Sequence, residues 1–293
     1  MIRIQKDIFL RSFRVISNQS FDLFVGSGAS INSGIPTGND LIWHFKREIL
    51  NSKGIIDGKR FTDLKIEDNR RIIQAYFDQR SDRDISNPYS FYFEECYPDQ
   101  FVRKEFLTHL VRDKKPSIGF LCLAALVENR KFNIVWTTNF DDLIEKAINA
   151  LNYRSCQIVS PENAPSVRSF NSDIPTIVKL HGDFRYDPLQ NTTEELQSLE
   201  GSLHKYFLDA SRRRGLIVVG YSGNDESVMN TLEKALEQQN PFPKGLIWCI
   251  PRDVVPNNRL IKLIERAKGI GYILYPKDFK NFKKDMRKLI GGD

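Results

Sequence analysis

Four short stretches carry the residue types that could do chemistry. "GSGASINSGIP" (26–36) follows an apolar run and opens with Gly26, Ser27, Gly28, Ala29 and Ser30. Small residues there let backbone amides approach a pyrophosphate closely, and a following helix N-terminus adds partial positive charge. "VWTTNFDDLIEKA" (135–147) leaves its apolar run through Thr138, Asn139 and Asp141. "VKLHGDF" (178–184) sets His181, one of 4 histidines, at the mouth of another run. An imidazole in that position is suited to acid–base work or to orienting a hydroxyl near neutral pH. "VVGYSGNDESVM" (218–229) offers Gly220, Ser222, Gly223, Asn224 and Asp225.

Each piece also has a plainer use. Asn139 and Asp141 could cap a helix, as could Ser222 and Asn224, and His181 could bond a backbone carbonyl. Four coincident strand ends make those uses jointly a poor account.

The elements that must position these residues are legible as short apolar runs rich in Ile, Val and aromatics. They are "FDLFVG" (21–26), "NIVWTT" (133–138), "TIVKLHG" (176–182), "GLIVVGYS" (215–222), "GLIWCI" (245–250) and "GYILYP" (271–276). Continuous apolar runs suit strands buried on both faces. Helical patterns lie between the later ones, as in "ESVMNTLEKALEQQ", where Val228, Leu232, Ala235 and Leu236 share a face. Strands alternating with helices predict an α/β fold, a Rossmann-like parallel sheet covered by helices on both faces. In such sheets ligands bind beyond the carboxyl ends of the strands, so the four stretches point at one crevice. Residues 50–128 break the rhythm with aromatics ("YSFYFEECY"), scattered charge and helical periodicity. They read as a helical insertion forming a smaller layer within a single domain over 1–293.

The first loop departs from two common phosphate-binding versions. Ile31 stands where a hydride-transfer fingerprint wants its third glycine, and Gly-Lys-Ser/Thr is absent. The loop therefore suggests a dinucleotide used neither as hydride carrier nor as phosphoryl donor. Cys96, Cys122, Cys156 and Cys249 form no Cys-x-x-Cys pair, and His44, His109 and His204 have no partner motif. This argues against zinc or a disulfide framework and predicts no metal. No apolar run approaches the roughly 20 residues that span a bilayer, and the charged N-terminus is unlike a secretory signal. A soluble, cytoplasmic protein without membrane contact is expected. The net charge of +6 gathers at "SRRRG" (211–215) and "KDFKNFKKDMRK" (277–288), which read more readily as solvated surface than as a nucleic-acid site.

Taken in order, "GSGAS…GIP", "TTNFDD", "KLHGD" and "GYSGND" resemble the sirtuin family, especially its bacterial defence-associated, NAD-consuming branch. The resemblance spans essentially the whole chain. It implies that Gly26, Ser27, Gly28, Ala29 and Ser30 hold the pyrophosphate of NAD+, which is substrate as well as ligand. Thr138 and Asp141 would lie at the nicotinamide and its ribose, with Asn139 and His181 catalytic. Gly220, Ser222 and Asn224 would serve the adenosine side. Zinc-bearing deacylase sirtuins insert four ribbon cysteines after the His-Gly pair, whereas no cysteine stands between His181 and Gly215. Thr37, Gly38 and Asn39 replace the deacylases' Asp-Phe-Arg. The resemblance thus implies an NAD+ glycohydrolase releasing nicotinamide and ADP-ribose, an NAD-depleting effector of antiviral defence acting by abortive infection. The alternatives are an NAD-dependent protein deacylase and a non-catalytic NAD+ or ADP-ribose sensor module. Related defence proteins are paired with Argonaute-like, ATPase or nucleotide-sensing modules. An activating or restraining protein partner, a homo-oligomer, or both are therefore implied, with any nucleic-acid link indirect.

Overall fold

The structure, a computed structural model, describes residues 3–16, 18–80, 85, 87–151, 156–161, 174–181, 202–251 and 254–274. The basic segment 277–288 lies outside them, as does Gly182. The strands are β1 (Arg3–Ile4), β2 (Phe21–Val25), β3 (Phe132–Thr137), β4 (Gln157–Val159), β5 (Thr176–Lys179), β6 (Gly215–Val219), β7 (Leu246–Cys249) and β8 (Gly271–Leu274). They form one sheet in the order β1-β8-β7-β6-β2-β3-β5-β4, with every pairing parallel. Strand order runs outward from β2 in both directions, so the sheet has its switch point at β2 between β3 and β6. That is where an open α/β sheet leaves a ligand crevice.

Every residue of β2, β3 and β5 is buried, which explains their continuous apolar runs. Alternate side chains feed two cores. Phe24, Trp136, Val178, Val218 and Trp248 face α8 (Ser202–Ser211), α9 (Glu226–Leu236) and α10 (Asn258–Arg266). Leu23, Val25, Val135, Ile177 and Ile217 face α1 (Lys6–Val15), α6 (Ile118–Glu128) and α7 (Leu143–Ala150). On α9 the buried stripe is Val228, Met229, Leu232 and Ala235, with Leu236 at its margin.

A third apolar cluster stands apart from the sheet. It joins α2 (Gly38–Ser52), α3 (Glu67–Phe77), α4 (Pro88–Cys96) and α5 (Gln100–Val111) through Phe45, Ile49, Ile73, Phe93 and Leu107. Phe45 and Phe93 stack at 4.7 Å between ring centroids. Residues 50–128 hold no strand among the described residues. Their last helix, α6, belongs to the sheet's own core, and α2 contributes to the helical layer instead. Phe140, just beyond β3, packs against both clusters.

Part of the 211–215 basic cluster is turned inward. Arg214 Nε lies 2.7 Å from Asp22 Oδ1, and Trp136 Nε1 donates to Asp22 Oδ2 at 3.4 Å. Burial raises the Asp22 carboxyl above its usual range, with Arg214 opposing the rise.

Candidate active site

The strands that end at the crevice, β6, β2, β3 and β5, are consecutive neighbours in the sheet. β2 delivers the chain into a 3-10 turn over Ser27–Ser33. The loop after β6 lies directly against that turn. Gly26 N donates to Val219 O at 2.9 Å, and Gly28 N donates to Gly220 O at 2.8 Å. A Cβ on Gly28 would fall 2.9 Å from Gly220 O, and one on Gly220 would fall 2.5 Å from Ala29 N. Gly220 also adopts φ +68°, a left-handed conformation that favours glycine. These glycines therefore let two backbones touch at the switch point. Gly38 N, at the start of α2, donates to Ser27 Oγ at 3.4 Å. That start is fixed by a capping box between Thr37 and Asp40.

The turn after β3 is tied down from its first residue. Thr137 Oγ1 donates to Val25 O at 2.8 Å and accepts from Asn139 N at 3.0 Å. The Asn139 side chain then enters a directional chain of hydrogen bonds. Its Nδ2 donates to Gly26 O at 3.3 Å and to Ser30 Oγ at 3.1 Å, and Ser30 Oγ donates to Asp141 Oδ2 at 2.7 Å. Leu143 N donates to Asp141 Oδ1 at 3.1 Å. Ser30 is fully buried, and Asn139 and Asp141 are each 5% exposed. With both amide hydrogens committed, Asn139 Oδ1 is left as a buried acceptor without a hydrogen-bond partner among the described residues. Such a group costs stability unless something else satisfies it. Burial raises the Asp141 carboxyl above its usual range, while the Ser30 and Leu143 donors and the Lys179 ammonium work against the rise.

His181 follows β5, and its Nε2 lies 2.9 Å from Asp225 Oδ2. Asp225 also caps α9, accepting from Val228 N at 3.2 Å. Burial disfavours the Asp225 carboxylate, but the His181 ring beside it prevails and its pKa falls below the usual value. Neighbouring Tyr221 is anchored from two sides, by Phe24 at 4.9 Å between centroids and by Trp248 Nε1, which donates to its carbonyl at 2.9 Å.

The family model for a SIR2-like domain matches residues 133–273. That stretch, just under half of the chain, is SIR2-like. Among solved structures, a triple mutant of a Sir2 homologue in complex with 2'-O-acetyl ADP ribose matches with a TM-score of 0.50. Identity is 14%, with 97% of this chain and 96% of that chain covered. A Sir2 homologue in complex with NAD matches with a TM-score of 0.48 at 13% identity, over 98% of this chain and 95% of that one. No curated protein matches the sequence. At this identity the likeness to solved structures is one of fold.

Gly26, Ser30, Asn139 and Asp141 are joined by direct contacts, and Gly28 and Ala29 meet Gly220. Ser30 turns its hydroxyl toward Asn139 and Asp141. Thr138 is half-buried beside them. Ser222 and Asn224 are exposed and are held by Asn257, whose Nδ2 donates to Ser222 O at 3.0 Å and to Asn224 Oδ1 at 2.9 Å. The cap of α9 is Asp225 rather than Ser222 or Asn224. That of α7 is Asp142, with Asp141 accepting from the helix's first amide.

Sequence reasoning missed Lys179, which is fully buried at the end of β5, and its ion pair with Glu145. The available signal was a lysine inside an otherwise apolar strand. It also missed the pairing of His181 with Asp225, which sequence spacing does not encode. Among the described residues, no group of three or more His, Cys, Asp or Glu could hold a metal ion, and none of the four cysteines is in a disulfide. No helix among them is long and apolar enough to cross a membrane.

Proposed function

We propose that this sirtuin-like chain is an NAD+ glycohydrolase. The observation that carries the reading is the Asn139 amide, fixed by Gly26 and Ser30 so that Oδ1 stays unpartnered beside the glycine loop. A buried acceptor in that position suits a ribose hydroxyl or an attacking water. The SIR2-like match over 133–273, and a Sir2 homologue of similar fold in complex with 2'-O-acetyl ADP ribose, are in keeping with NAD+ as the ligand.

Cleavage breaks the bond between ribose C1' and the nicotinamide nitrogen, and its electron pair leaves with nicotinamide. Water adds to C1' of the oxocarbenium-like centre and loses a proton, giving ADP-ribose. Positioning and electrostatics carry such a step. Asn139 Oδ1 orients the water or ribose. Asp141, with lone pairs beyond those used by Ser30 and Leu143 N, accepts from the carboxamide. His181, paired with Asp225, takes up the proton or orients the ribose hydroxyls. The 26–30 turn serves the pyrophosphate, and Gly220, Ser222 and Asn224 serve the adenosine side.

We read the activity as NAD+ depletion in antiviral defence, restrained until a protein partner or self-association releases it. Unrestrained NAD+ loss would kill the host, and the helical layer, whose aromatics mostly pack on one another, exposes Ile66, Ile72, Phe101 and Val102 as surface for association. The dilute chain should then turn over slowly and accelerate with concentration or with a co-purifying partner. Full activity in a dilute, partner-free monomer would remove the switch. A deacylase would release nicotinamide only with an acetyl-lysine peptide, and a sensor would bind NAD+ without releasing any.

A further inference from the structure

The mechanism above leaves one buried charge pair unused. Lys179 is the last residue of β5 and has no exposed surface, and it lies in register beside Thr137 of β3. Its Nζ donates to the backbone carbonyl of Asp141 at 2.7 Å and lies 2.8 Å from Glu145 Oε1, in the first turn of α7. Glu145 is itself only 5% exposed. Packing alone would be served by an apolar residue here, as it is at Ile177 and Val178. Removing a lysine and a glutamate from water is costly, and such pairs add little to stability over an apolar pair.

What the pair does accomplish is geometric. Residues 138–142 form irregular backbone between the end of β3 and the start of α7, and they carry Asn139 and Asp141. Lys179 grips this turn at the Asp141 carbonyl from one neighbouring strand and grips α7 through Glu145. The side chain of that same Asp141 receives the Ser30 hydroxyl, which in turn receives the Asn139 amide. A displacement of Asp141 would therefore pass through Ser30 to Asn139.

We propose that Lys179 is a positioning residue for the Asn139–Asp141 turn, with Glu145 as the counter-ion that lets it be buried. The inference rests on the reading of that turn as the nicotinamide–ribose end of an NAD+ site. The ammonium also favours the charged form of Asp141, the form best suited to accept from Ser30.

The test compares Lys179→Met, Glu145→Gln and the double variant Lys179→Met/Glu145→Leu in the full chain. Lys179→Met alone takes the ammonium away from a buried carboxylate and is expected to lower the melting temperature sharply. The double variant removes both charges and should melt within a few degrees of wild type. Its kcat for nicotinamide release should still fall about 100-fold, with KM for NAD+ raised no more than about tenfold, because misplacement by about 1 Å has that effect on a reacting group. A double variant that regains both stability and turnover would reduce the pair to a structural role and overturn the proposal. Should the double variant fail to fold, Glu145→Gln carries the test. It keeps an acceptor for Lys179 and keeps the grip on Asp141, so kcat should stay within about fivefold of wild type, and a 100-fold loss would overturn the proposal. If the wild type itself releases no nicotinamide, the hydrolase reading fails, and positioning is then read by calorimetry. In the double variant, or in Lys179→Met below its melting transition, NAD+ should bind about tenfold more weakly while ADP-ribose, which lacks nicotinamide, is unaffected. An unchanged NAD+ affinity, or an equal loss for both ligands relative to wild type, would overturn it.

Discussion

Ser30→Ala removes a single oxygen from the centre of the site, and the structure sets the size of the effect. The hydroxyl donates to Asp141 at 2.7 Å and accepts from Asn139 at 3.1 Å, within a fully buried position. Alanine fits without a clash, but it leaves Asp141 Oδ2 without its donor and Asn139 Nδ2 with only Gly26 O. A hydrogen bond to a charged group is worth about 1.5–3 kcal/mol. At about 1.4 kcal/mol per decade, that is a loss of roughly 10- to 150-fold in kcat if the bond acts by holding the Asn139 amide. The same loss should lower the melting temperature by about 2–4 °C per kcal/mol. KM for NAD+ should hardly change, because the hydroxyl faces Asn139 and Asp141. The assay is steady-state nicotinamide release with protein confirmed folded by circular dichroism. A folded variant with unchanged kcat and a tenfold higher KM would refute the reasoning and make Ser30 a ligand of the pyrophosphate instead.

Asn139→Ala and His181→Ala should each lower turnover by about 10²–10⁴-fold in protein that still folds, with a lower melting temperature from the lost hydrogen bonds and the lost Asp225 partner; a folded variant with near-normal turnover would remove that residue from the mechanism. Gly220→Ala forces a Cβ to 2.5 Å from Ala29 N at φ +68°, so chemical denaturation should reveal a loss of about 1–3 kcal/mol or outright misfolding. Asp225 has its pKa depressed in the folded state, so it contributes stability above its unfolded value near 3.9 that is lost as pH falls through the folded value. Asp225→Asn keeps a good helix cap but drops the charge; its melting temperature should lie below wild type at neutral pH and converge with it in acid. A constant gap across that range would exclude the His181 pairing as the cause.

The central strands were legible because burial on both faces favours Ile, Val and aromatics, as in Ile134, Val135 and Trp136 of Phe132–Thr137. β1 and β4 were not, since two or three residues at the outer edges of a sheet carry no readable pattern. Among the described residues the predicted runs also overreached, most at β6, where Gly220, Tyr221 and Ser222 belong to the loop beyond the strand. The division between helical layer and sheet core was legible only coarsely. The α6 run "IGFLCLAALVE" is apolar nearly all round, and only packing reveals that it lies on the sheet. At the site, glycines and polar residues after apolar runs marked the strand ends well. Lys179 escaped because a lysine in a strand ordinarily reads as a solvent-facing position. Its burial depends on Glu145, a partner one helix away that sequence alone does not bring near.

The most direct test of the account is to incubate NAD+ with the purified full chain over a range of protein concentrations, without any acylated peptide, and to separate the products by chromatography. Nicotinamide and ADP-ribose should accumulate in equal amounts, with Asn139→Ala as the inactive control. Tight NAD+ binding with no nicotinamide at any concentration, or release that depends strictly on an acetyl-lysine peptide, would contradict the account.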